Sequence, residues 1–364
     1  MLKQRIQTLD GLRFIAAMGV LWIHNWIAFH APRCRVWKID IADFLALGAN
    51  GVDLFFVISG FCMYYFYGTK ADFSYQSFAR FIKKRWTRLS PAFYAATIIY
   101  IIVGKYVYHY QFSLVFNFLH SVFYLNYIGG QYNTARHFWT LTVEWQFYFL
   151  IPFLLIYQNK IGFKKSFILI FGATCLATVV AILFLDARSD FLTYTILFRV
   201  TEFACGVIAA RLLLNNSIKL KYRALWLIAF IVITYCGRVM ISATGLSLSV
   251  HYYNIFKVIG FAVMGIGFAG MLYLAVTSTK WLNIILGNRL FKTMGRISYS
   301  FYLFHVLVYP VIVVFTRHYL FALTGIAAPL VSMLISAIIL YPVSLLSFHF
   351  LEKPFLSMGN LTTK

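Results

Sequence analysis

Ten long apolar runs constrain this chain more than any other feature of its sequence. A helix needs about 20 mostly apolar residues to cross the hydrocarbon of a bilayer. Runs of that kind occupy residues 11–31, 48–67, 90–107, 137–157, 166–185, 193–211, 224–242, 252–276, 294–316 and 327–350. The chain is 62% hydrophobic and 12% charged, and no polar stretch between the runs is long enough for a soluble domain. We therefore expect an all-α, polytopic integral membrane protein with about ten transmembrane helices, forming a single membrane-embedded domain over residues 1–364.

The distribution of Lys and Arg predicts how these helices are oriented. The chain has 32 Lys and Arg residues against 10 Asp and Glu, which gives a net charge of +22. If the N-terminus is cytoplasmic, the inner segments contain 22 of the basic residues and the outer segments contain 8. Because cytoplasmic loops are enriched in Lys and Arg, this split predicts that both termini are cytoplasmic. Topology thus explains most of the basic charge, a smaller part could serve an anionic ligand, and we expect no nucleic acid partner.

One outer segment, 108–136, is unusually rich in Phe, Tyr and Leu. A free aqueous loop of that composition would expose a large apolar surface to water. We therefore expect the segment to lie along the membrane surface or to fold back over the helix bundle as a lid.

Two ionisable residues share one face of the first predicted helix. Arg13 and His24 are eleven positions apart, which at 100° per residue leaves them about 20° from a whole number of turns. They are separated by about 16 Å along the helix axis, so a polar stripe runs from the cytoplasmic side into the outer half of the membrane. Ionisable residues inside a span are costly and commonly functional. We expect a functional role for Arg13 and His24, and the alternative is an internal ion pair or hydrogen bond that fixes helix packing.

Two carboxylates are predicted at about the depth of His24. Asp53 lies just inside the outer end of the second run, and Glu144 lies one or two turns inside the outer end of the fourth. A carboxylate beside a histidine orients the imidazole and stabilises its protonated form, as a general base requires. The alternative for Asp53 is that it caps the first turn of its helix.

Arg85 and Arg88 lie where a basic loop is predicted to enter the third run. The i, i+3 spacing places both guanidinium groups on one side of a helix, where they could bind a phosphate. The alternative is that they are part of the cytoplasmic charge signal and contact lipid headgroups.

Further polar residues in the later runs leave their roles open. Arg199 and Glu202 are three positions apart and most simply pair with each other. His305 follows Ser298 by seven positions on one helix face, and it is either a second catalytic histidine or a packed one. Glu352, after the last run, fits a structural cap better than a catalytic role.

Seven motifs occur in a fixed order between residues 9 and 356. They are the segments 9–13 (LDGLR) with His24, 51–61 (GVDLFFVISGF), 85–91 (RWTRLSP), 139–148 (WTLTVEWQFY), 198–206 (FRVTEFACG), 295–305 (GRISYSFYLFH) and 351–355 (LEKPF). Together these motifs resemble acyltransferase family 3. The chain differs from the family at Trp145, where a second acidic residue often follows the one at Glu144. A required carboxylate from this motif would therefore be Glu144.

The resemblance implies a membrane-bound acyltransferase. Such a protein moves an acyl group, usually acetyl, from coenzyme A in the cytoplasm to a hydroxyl of a surface or lipid-linked glycan. It implies a bacterial inner membrane location, with polysaccharide or lipopolysaccharide as the O-acetylated product. We expect acyl-coenzyme A as a co-substrate and no bound cofactor. We also expect no metal, because the cysteines show no metal-ligand spacing.

The residues agree with this chemistry. His24 would take the proton of the attacking hydroxyl, with Glu144 and Arg13 as further catalytic residues. Arg85 and Arg88 would bind the phosphates of the donor. The alternative function is a transporter or flippase for an anionic glycan or lipid, which would more often show inverted repeats and broken helices. A non-catalytic scaffold would leave the stripe of Arg13 and His24 unexplained.

Overall fold

The chain is almost entirely helical. The computed structural model describes residues 6–36, 39–69, 73–109, 113–126, 135–184, 192–216, 218, 220–242, 250–278 and 281–356. The first helices are α1 Gln7–Ala28, α2 Ala42–Leu45, α3 Gly51–Tyr67, α4 Tyr75–Tyr106, α5 Leu114–Val122, α6 Trp139–Ile161, α7 Phe163–Phe167 and α8 Ala173–Phe184. The remainder are α9 Ile196–Leu214, α10 Arg223–Ser242, α11 Val250–Val276, α12 Trp281–Leu286, α13 Arg289–Arg296, α14 Ser298–Tyr319 and α15 Ala327–Ser347. Two short antiparallel strands, β1 Arg35–Val36 and β2 Ile39–Asp40, lie between α1 and α2.

The predicted all-α, polytopic membrane fold is confirmed. Within the described ranges, nine helical segments are long and apolar enough to cross a bilayer. They are Gln7–Ala28, Ala46–Tyr67, Tyr75–Tyr106, Arg136–Ile161, Phe163–Phe184, Arg223–Ser242, Tyr252–Val276, Ser298–Tyr319 and Ala327–Leu356. The tenth predicted span, 193–211, corresponds to α9, a helix of 19 residues that contains Arg199, Glu202 and Arg211. With these three charges, α9 is not counted as a membrane span on composition alone, but it packs against α3 and α11 inside the bundle.

Close backbone contact joins α3 to α9. A Cβ atom at Gly206 would lie 2.1 Å from the carbonyl oxygen of Val57, and one at Gly60 would lie 2.2 Å from that of Phe203. No side chain fits at such distances, so glycine is required at both positions. Small residues of this kind allow membrane helices to approach closely where lipid supplies no hydrophobic driving force between them.

Helix α4 corrects one prediction about the cytoplasmic side. It begins at Tyr75, fifteen residues before the predicted run at 90–107, with the Ser74 side chain accepting a hydrogen bond from the Ser77 amide. Arg85 and Arg88 therefore lie on a continuous helix and not in a loop that enters one. The hydropathy pattern missed this part because it is rich in basic residues, of which Arg85 and Arg88 line an internal cavity whereas Arg80 and Lys83 are exposed.

The described part of the outer segment 108–136 folds back along α4. Tyr124, just after α5, forms a 2.9 Å hydrogen bond with Ser90, which lies sixteen positions before the end of α4 at Tyr106. At 1.5 Å per residue the chain has returned by about 24 Å toward the inner side. The polar residues Asn117 and Ser121 of α5 are buried. Residues 113–126 therefore fold back over the helix bundle, which is the second of the two expected arrangements. Residues 127–134 lie outside the described residues.

The predicted orientation has a direct test. A reporter fused after the last residue should report a cytoplasmic location, and one inserted at residue 110 should report an extracytoplasmic location, because the basic residues are concentrated on the inner side. An extracytoplasmic C-terminus would contradict this topology and would indicate that α9 does not cross the membrane.

Candidate active site

A cavity of about 500 Å³ opens among α1, α3, α4, α6 and α14. Its lining includes charged residues from five separate parts of the chain: Asp10, Arg13, Arg85, Arg88, Glu144, Arg296 and Glu352. Four of these side chains are basic and three are acidic. Because α1 contributes residues from Ile6 to Arg13, the cavity lies in the half of the bundle that contains the N-terminal end of α1. In the predicted orientation this is the cytoplasmic half.

Arg13 is held toward this cavity by two contacts. One guanidinium nitrogen, Nη1, donates to Oδ1 of Asp10 at 3.2 Å, and the other, Nη2, donates to the sulfur of Cys62 at 3.2 Å. Asp10 is nearly completely buried, whereas Arg13 keeps part of its surface open. The guanidinium therefore has a fixed position and can still contact a ligand.

Arg85 and Arg88 enter the cavity from one side of α4. Arg85 donates to the hydroxyl of Tyr67 at 3.2 Å, and its guanidinium lies 5.6 Å from the ring centre of Phe81 and 5.9 Å from that of Tyr148. Arg88 is exposed to the cavity and forms no hydrogen bond or ion pair with the described part of the chain. A rigid, stacked arginine beside one without a protein partner is suited to hold an anionic group.

Glu144 also faces the cavity. The hydroxyls of Ser59 and Tyr148 donate to the same carboxylate oxygen, Oε1, at 2.7 Å and 2.5 Å. The structure does not bring Glu144 to His24, contrary to the prediction that the two lie at one depth. Helix α6 starts below the outer end of the bundle, where Phe138 packs on Phe93 and Tyr100 of α4. A residue one turn inside α6 is therefore already in the inner half.

Asp53 is likewise not a partner of His24. Its Oδ1 accepts a 2.5 Å hydrogen bond from Nη1 of Arg199, and its Oδ2 accepts one of 2.8 Å from Asn50. The Arg199 guanidinium lies 3.6 Å from the ring centre of Phe261 and also 3.6 Å from a carboxylate oxygen of Glu202. The expected pairing of Arg199 with Glu202 is therefore present, but Asp53 is the closer partner. This buried cluster joins α3 to α9 and does not line the cavity.

Ser298 and Glu352 complete the cavity wall. The Ser298 hydroxyl donates to the carbonyl of Gly295 at 2.9 Å, at the start of α14. Glu352, expected as a cap, instead accepts a hydrogen bond from the hydroxyl of Ser300 and is buried at the cavity wall. It lies in a π-helical turn, Phe348–Glu352, that continues α15. The sequence contained no signal for this turn, and a regular helix would have aimed the carboxylate elsewhere.

His24 lies just beyond the cavity. Its Nδ1 is 2.8 Å from the carbonyl oxygen of Val20, so this nitrogen carries the proton and Nε2 has the free lone pair. The ring of His24 is 4.9 Å from that of His305, centre to centre. Tyr302 lines the cavity, and its ring lies 5.3 Å from that of His305. Tyr302 therefore separates the cavity from the histidines.

His137 was not recognised in the sequence, although it lies three positions before Thr140 and so on its face. Its ring centre is 4.9 Å from that of His305. In the part of the chain that the structure describes, no group of His, Cys, Asp or Glu side chains is arranged to hold a metal ion.

Comparison with known proteins identifies the family. The model of an acyltransferase domain, that of acyltransferase family 3, matches residues 6–348. The chain belongs to this family. The cavity is lined by arginines from three of the seven motifs, and His24 and His305, from the first and sixth motifs, lie just beyond it.

Several curated proteins are similar to this family member. "Putative peptidoglycan O-acetyltransferase YrhL" of Bacillus subtilis is 24% identical, with 97% of this chain and 55% of YrhL aligned. O-acetyltransferase OatA of Staphylococcus aureus is 23% identical, over 96% of this chain and 57% of OatA. Nodulation protein 10 of Rhizobium leguminosarum is 28% identical over 40% of this chain and 43% of that protein. The chain thus spans about half the length of these relatives. No solved structure matches it.

The buried cluster at Asp53 should contribute strongly to stability. Arg199→Leu would leave the Asp53 carboxylate buried without its cation, which typically costs about 3–5 kcal/mol in free energy of unfolding. We expect a clearly lower melting temperature for the purified protein. Glu202→Gln is the matched control, because neither carboxylate oxygen of Glu202 has a hydrogen-bond partner among the described residues. Equal losses from the two substitutions would contradict the assignment of Asp53 as the principal partner.

Proposed function

We propose that this protein is a membrane-bound O-acyltransferase that moves an acyl group, in the first instance acetyl, from coenzyme A to a hydroxyl of a glycan. The observation that carries the proposal is an arginine-lined cavity that ends at Tyr302, whose ring contacts His305, which in turn contacts His24 with its free ring nitrogen. Family membership supports acyl transfer, and two similar proteins are named as O-acetyltransferases. Residues 1–364 would act as one domain in a bacterial inner membrane.

The donor fits the chemistry of the cavity. Coenzyme A has phosphate groups at one end and a thioester at the end of a long flexible arm. Arg85 and Arg88 would bind phosphates at the inner side, and Arg13 would contact negative charge deeper in the cavity. Glu144, fixed by Ser59 and Tyr148, would orient polar groups of the bound donor.

His24 would carry the acid–base chemistry. Its Nε2 takes the proton of the acceptor hydroxyl while the hydroxyl oxygen attacks the thioester carbonyl. The carbon–oxygen bond forms, the carbon–sulfur bond breaks, and the departing thiolate finally receives the proton. The Val20 carbonyl keeps Nδ1 protonated, so Nε2 is always the nitrogen that accepts. Because His24 does not line the cavity, and Tyr302 and His305 lie between the two, side chains of this layer would have to move for the thioester to reach the base.

The acceptor is proposed to be a sugar of a surface polysaccharide, lipopolysaccharide or lipid-linked glycan. Support comes from the printed name of YrhL, which refers to peptidoglycan, and from the position of His24 in the outer half of α1. A transporter or flippase is the alternative, and no contact in the described residues favours it.

Donor binding is tested at Arg88. Arg88→Ala should raise KM for acetyl-coenzyme A by about 10- to 100-fold, the effect of losing a charge-assisted hydrogen bond. Release of free thiol from acetyl-coenzyme A by the purified protein measures this. Arg80→Ala is the matched control, because Arg80 is exposed on the same helix and does not line the cavity. An unchanged KM for Arg88→Ala would exclude the proposed phosphate contact.

The base is tested at His24. His24→Gln preserves much of the side-chain shape but cannot accept the proton, so turnover should fall by about 10²- to 10⁴-fold. Thiol release with acceptor present is the readout, and an unchanged melting temperature is the control for folding. Near-normal turnover of this variant would show that His24 is not the base. If the unmodified protein releases no thiol, the alternative function as a transporter or flippase would be favoured.

A further inference from the structure

His24 belongs to a cluster of three imidazoles from three distant parts of the chain. The His305 ring, on α14, lies between the rings of His24 on α1 and His137 in the turn before α6. Both ring-centre distances are 4.9 Å, and the ring planes meet at 72° and 76°. His305 is 1% exposed and His137 is 7% exposed. Three rings so placed, two of them buried, form one polar group inside an otherwise apolar bundle.

Backbone carbonyls determine which nitrogen of each ring carries the proton. Nδ1 of His24 contacts the carbonyl of Val20, and Nδ1 of His305 contacts that of Tyr302 at 2.5 Å. Nε2 of His137 contacts the carbonyl of Leu303 at 3.2 Å. A carbonyl can only accept a hydrogen bond, so each of these nitrogens is the donor. The second nitrogen of each ring is therefore a free acceptor while the ring is neutral.

Two of these acceptors are buried and unused. Nε2 of His305 and Nδ1 of His137 have no hydrogen-bond partner among the described residues. Buried polar atoms in proteins are nearly always hydrogen-bonded, so two neighbouring exceptions beside a candidate base require an explanation. Packing alone does not supply one, because Phe would fill the same space without leaving an unpaired nitrogen.

The cluster also lacks a carboxylate. Asp53 and Glu144 were the two carboxylates predicted at the depth of His24, but both have other partners. Arg199 binds Asp53, and the hydroxyls of Ser59 and Tyr148 bind Glu144. No described carboxylate forms an ion pair with any of the three rings. When His24 gains a proton, the groups that face it are therefore the neutral imidazole of His305 and the phenol of Tyr309, whose ring centre is 5.4 Å away.

We propose that His305 and His137 are positioning residues that act through His24, in place of the carboxylate that usually supports a catalytic histidine. When Nε2 of His24 takes the hydroxyl proton, the resulting cation is stabilised by the lone pair of His305, whose ring is held in place by the Tyr302 carbonyl and by packing against the His137 ring. Both remain neutral throughout, and the proton leaves His24 for the departing thiolate. This inference rests on the proposed acyl transfer.

A comparison of two substitutions at His305 separates this role from packing. His305→Phe keeps a ring of similar shape but has no acceptor, whereas His305→Gln keeps an acceptor oxygen and loses the ring. If the acceptor matters, turnover should fall by about 10- to 100-fold for Phe and less for Gln, within the range of couplings between contacting groups. If His305 only fills space, Phe should be the better substitute. KM for acetyl-coenzyme A should change in neither, because His305 does not line the donor cavity.

Combination with His24→Gln gives a second readout. Residues that act as one unit have non-additive effects, so His305→Phe and His137→Phe should cause little further loss of turnover in a His24→Gln background. His120→Gln is the matched control, since His120 makes the same type of bond, from Nδ1 to the Phe116 carbonyl, on the exposed face of α5. Melting temperatures of all variants report folding, and Gln at both positions replaces any Phe variant that does not fold.

The outcomes are distinguishable. Additive losses in the double variants, normal turnover of both His305 variants, or Phe outperforming Gln would each overturn the positioning role while the acyltransferase proposal stands. A parent protein that releases no thiol with any glycan acceptor would instead overturn the proposed function, and the positioning role with it.

Discussion

The cost of placing charge in hydrocarbon is the constraint on which the rest of this structure depends. An isolated ion inside a membrane is strongly unfavourable, so ionisable residues in spans must pair or face a polar interior. The bundle uses both solutions. Asp53, Arg199 and Glu202 pair between α3 and α9, which holds in the bundle a helix that its composition alone would exclude. Arg13 and its neighbours instead face a cavity, where their charge remains available to a ligand.

The charged cavity and the histidine cluster occupy adjacent regions of the bundle. The cavity is lined by charged side chains, and the imidazoles of His24, His137 and His305 lie beyond it. Tyr302 separates them, with its hydroxyl donating to the His137 carbonyl at 2.7 Å and lying 2.8 Å from the Thr140 hydroxyl. A donor and an acceptor on opposite sides could meet only if this layer opens. Such a separation would limit transfer of the acyl group to water while no acceptor is bound.

The sequence predicted the fold well because lipid imposes a simple rule. A helix must present about 20 apolar residues, and nine of the expected spans follow that rule closely within the described ranges. The prediction was less accurate where polar residues face inward. The first part of α4 belongs to the bundle although it is rich in basic residues, and Glu352, near the end of the last span, faces the cavity. The predicted depth of Glu144 in the membrane was also inaccurate, because it depends on where α6 begins relative to its neighbours.

The site could be predicted in its residues but not in its pairings. Ordered motifs indicated Arg13, Arg85 and Glu144, which the structure brings to one cavity, and His24, which lies just beyond it. Pairings depend on distances across the bundle, which a single sequence does not contain. His137 shows the limit clearly: it lies at the edge of a span, where one more polar residue is unremarkable. Only the position of its ring beside His305 gives it significance.

The partner of His24 has a consequence for the proposed role of this residue as a base. A carboxylate would orient the ring and also neutralise the charge that the ring acquires. A backbone carbonyl orients the ring equally well but offers only a dipole, and here the Val20 carbonyl also belongs to the helix. The protonated ring must then be stabilised by other neutral groups or by the negative charge that develops on the reacting oxygen and sulfur. A base supported in this way favours proton transfer that is concerted with attack, because a separated cation in the bundle would be costly.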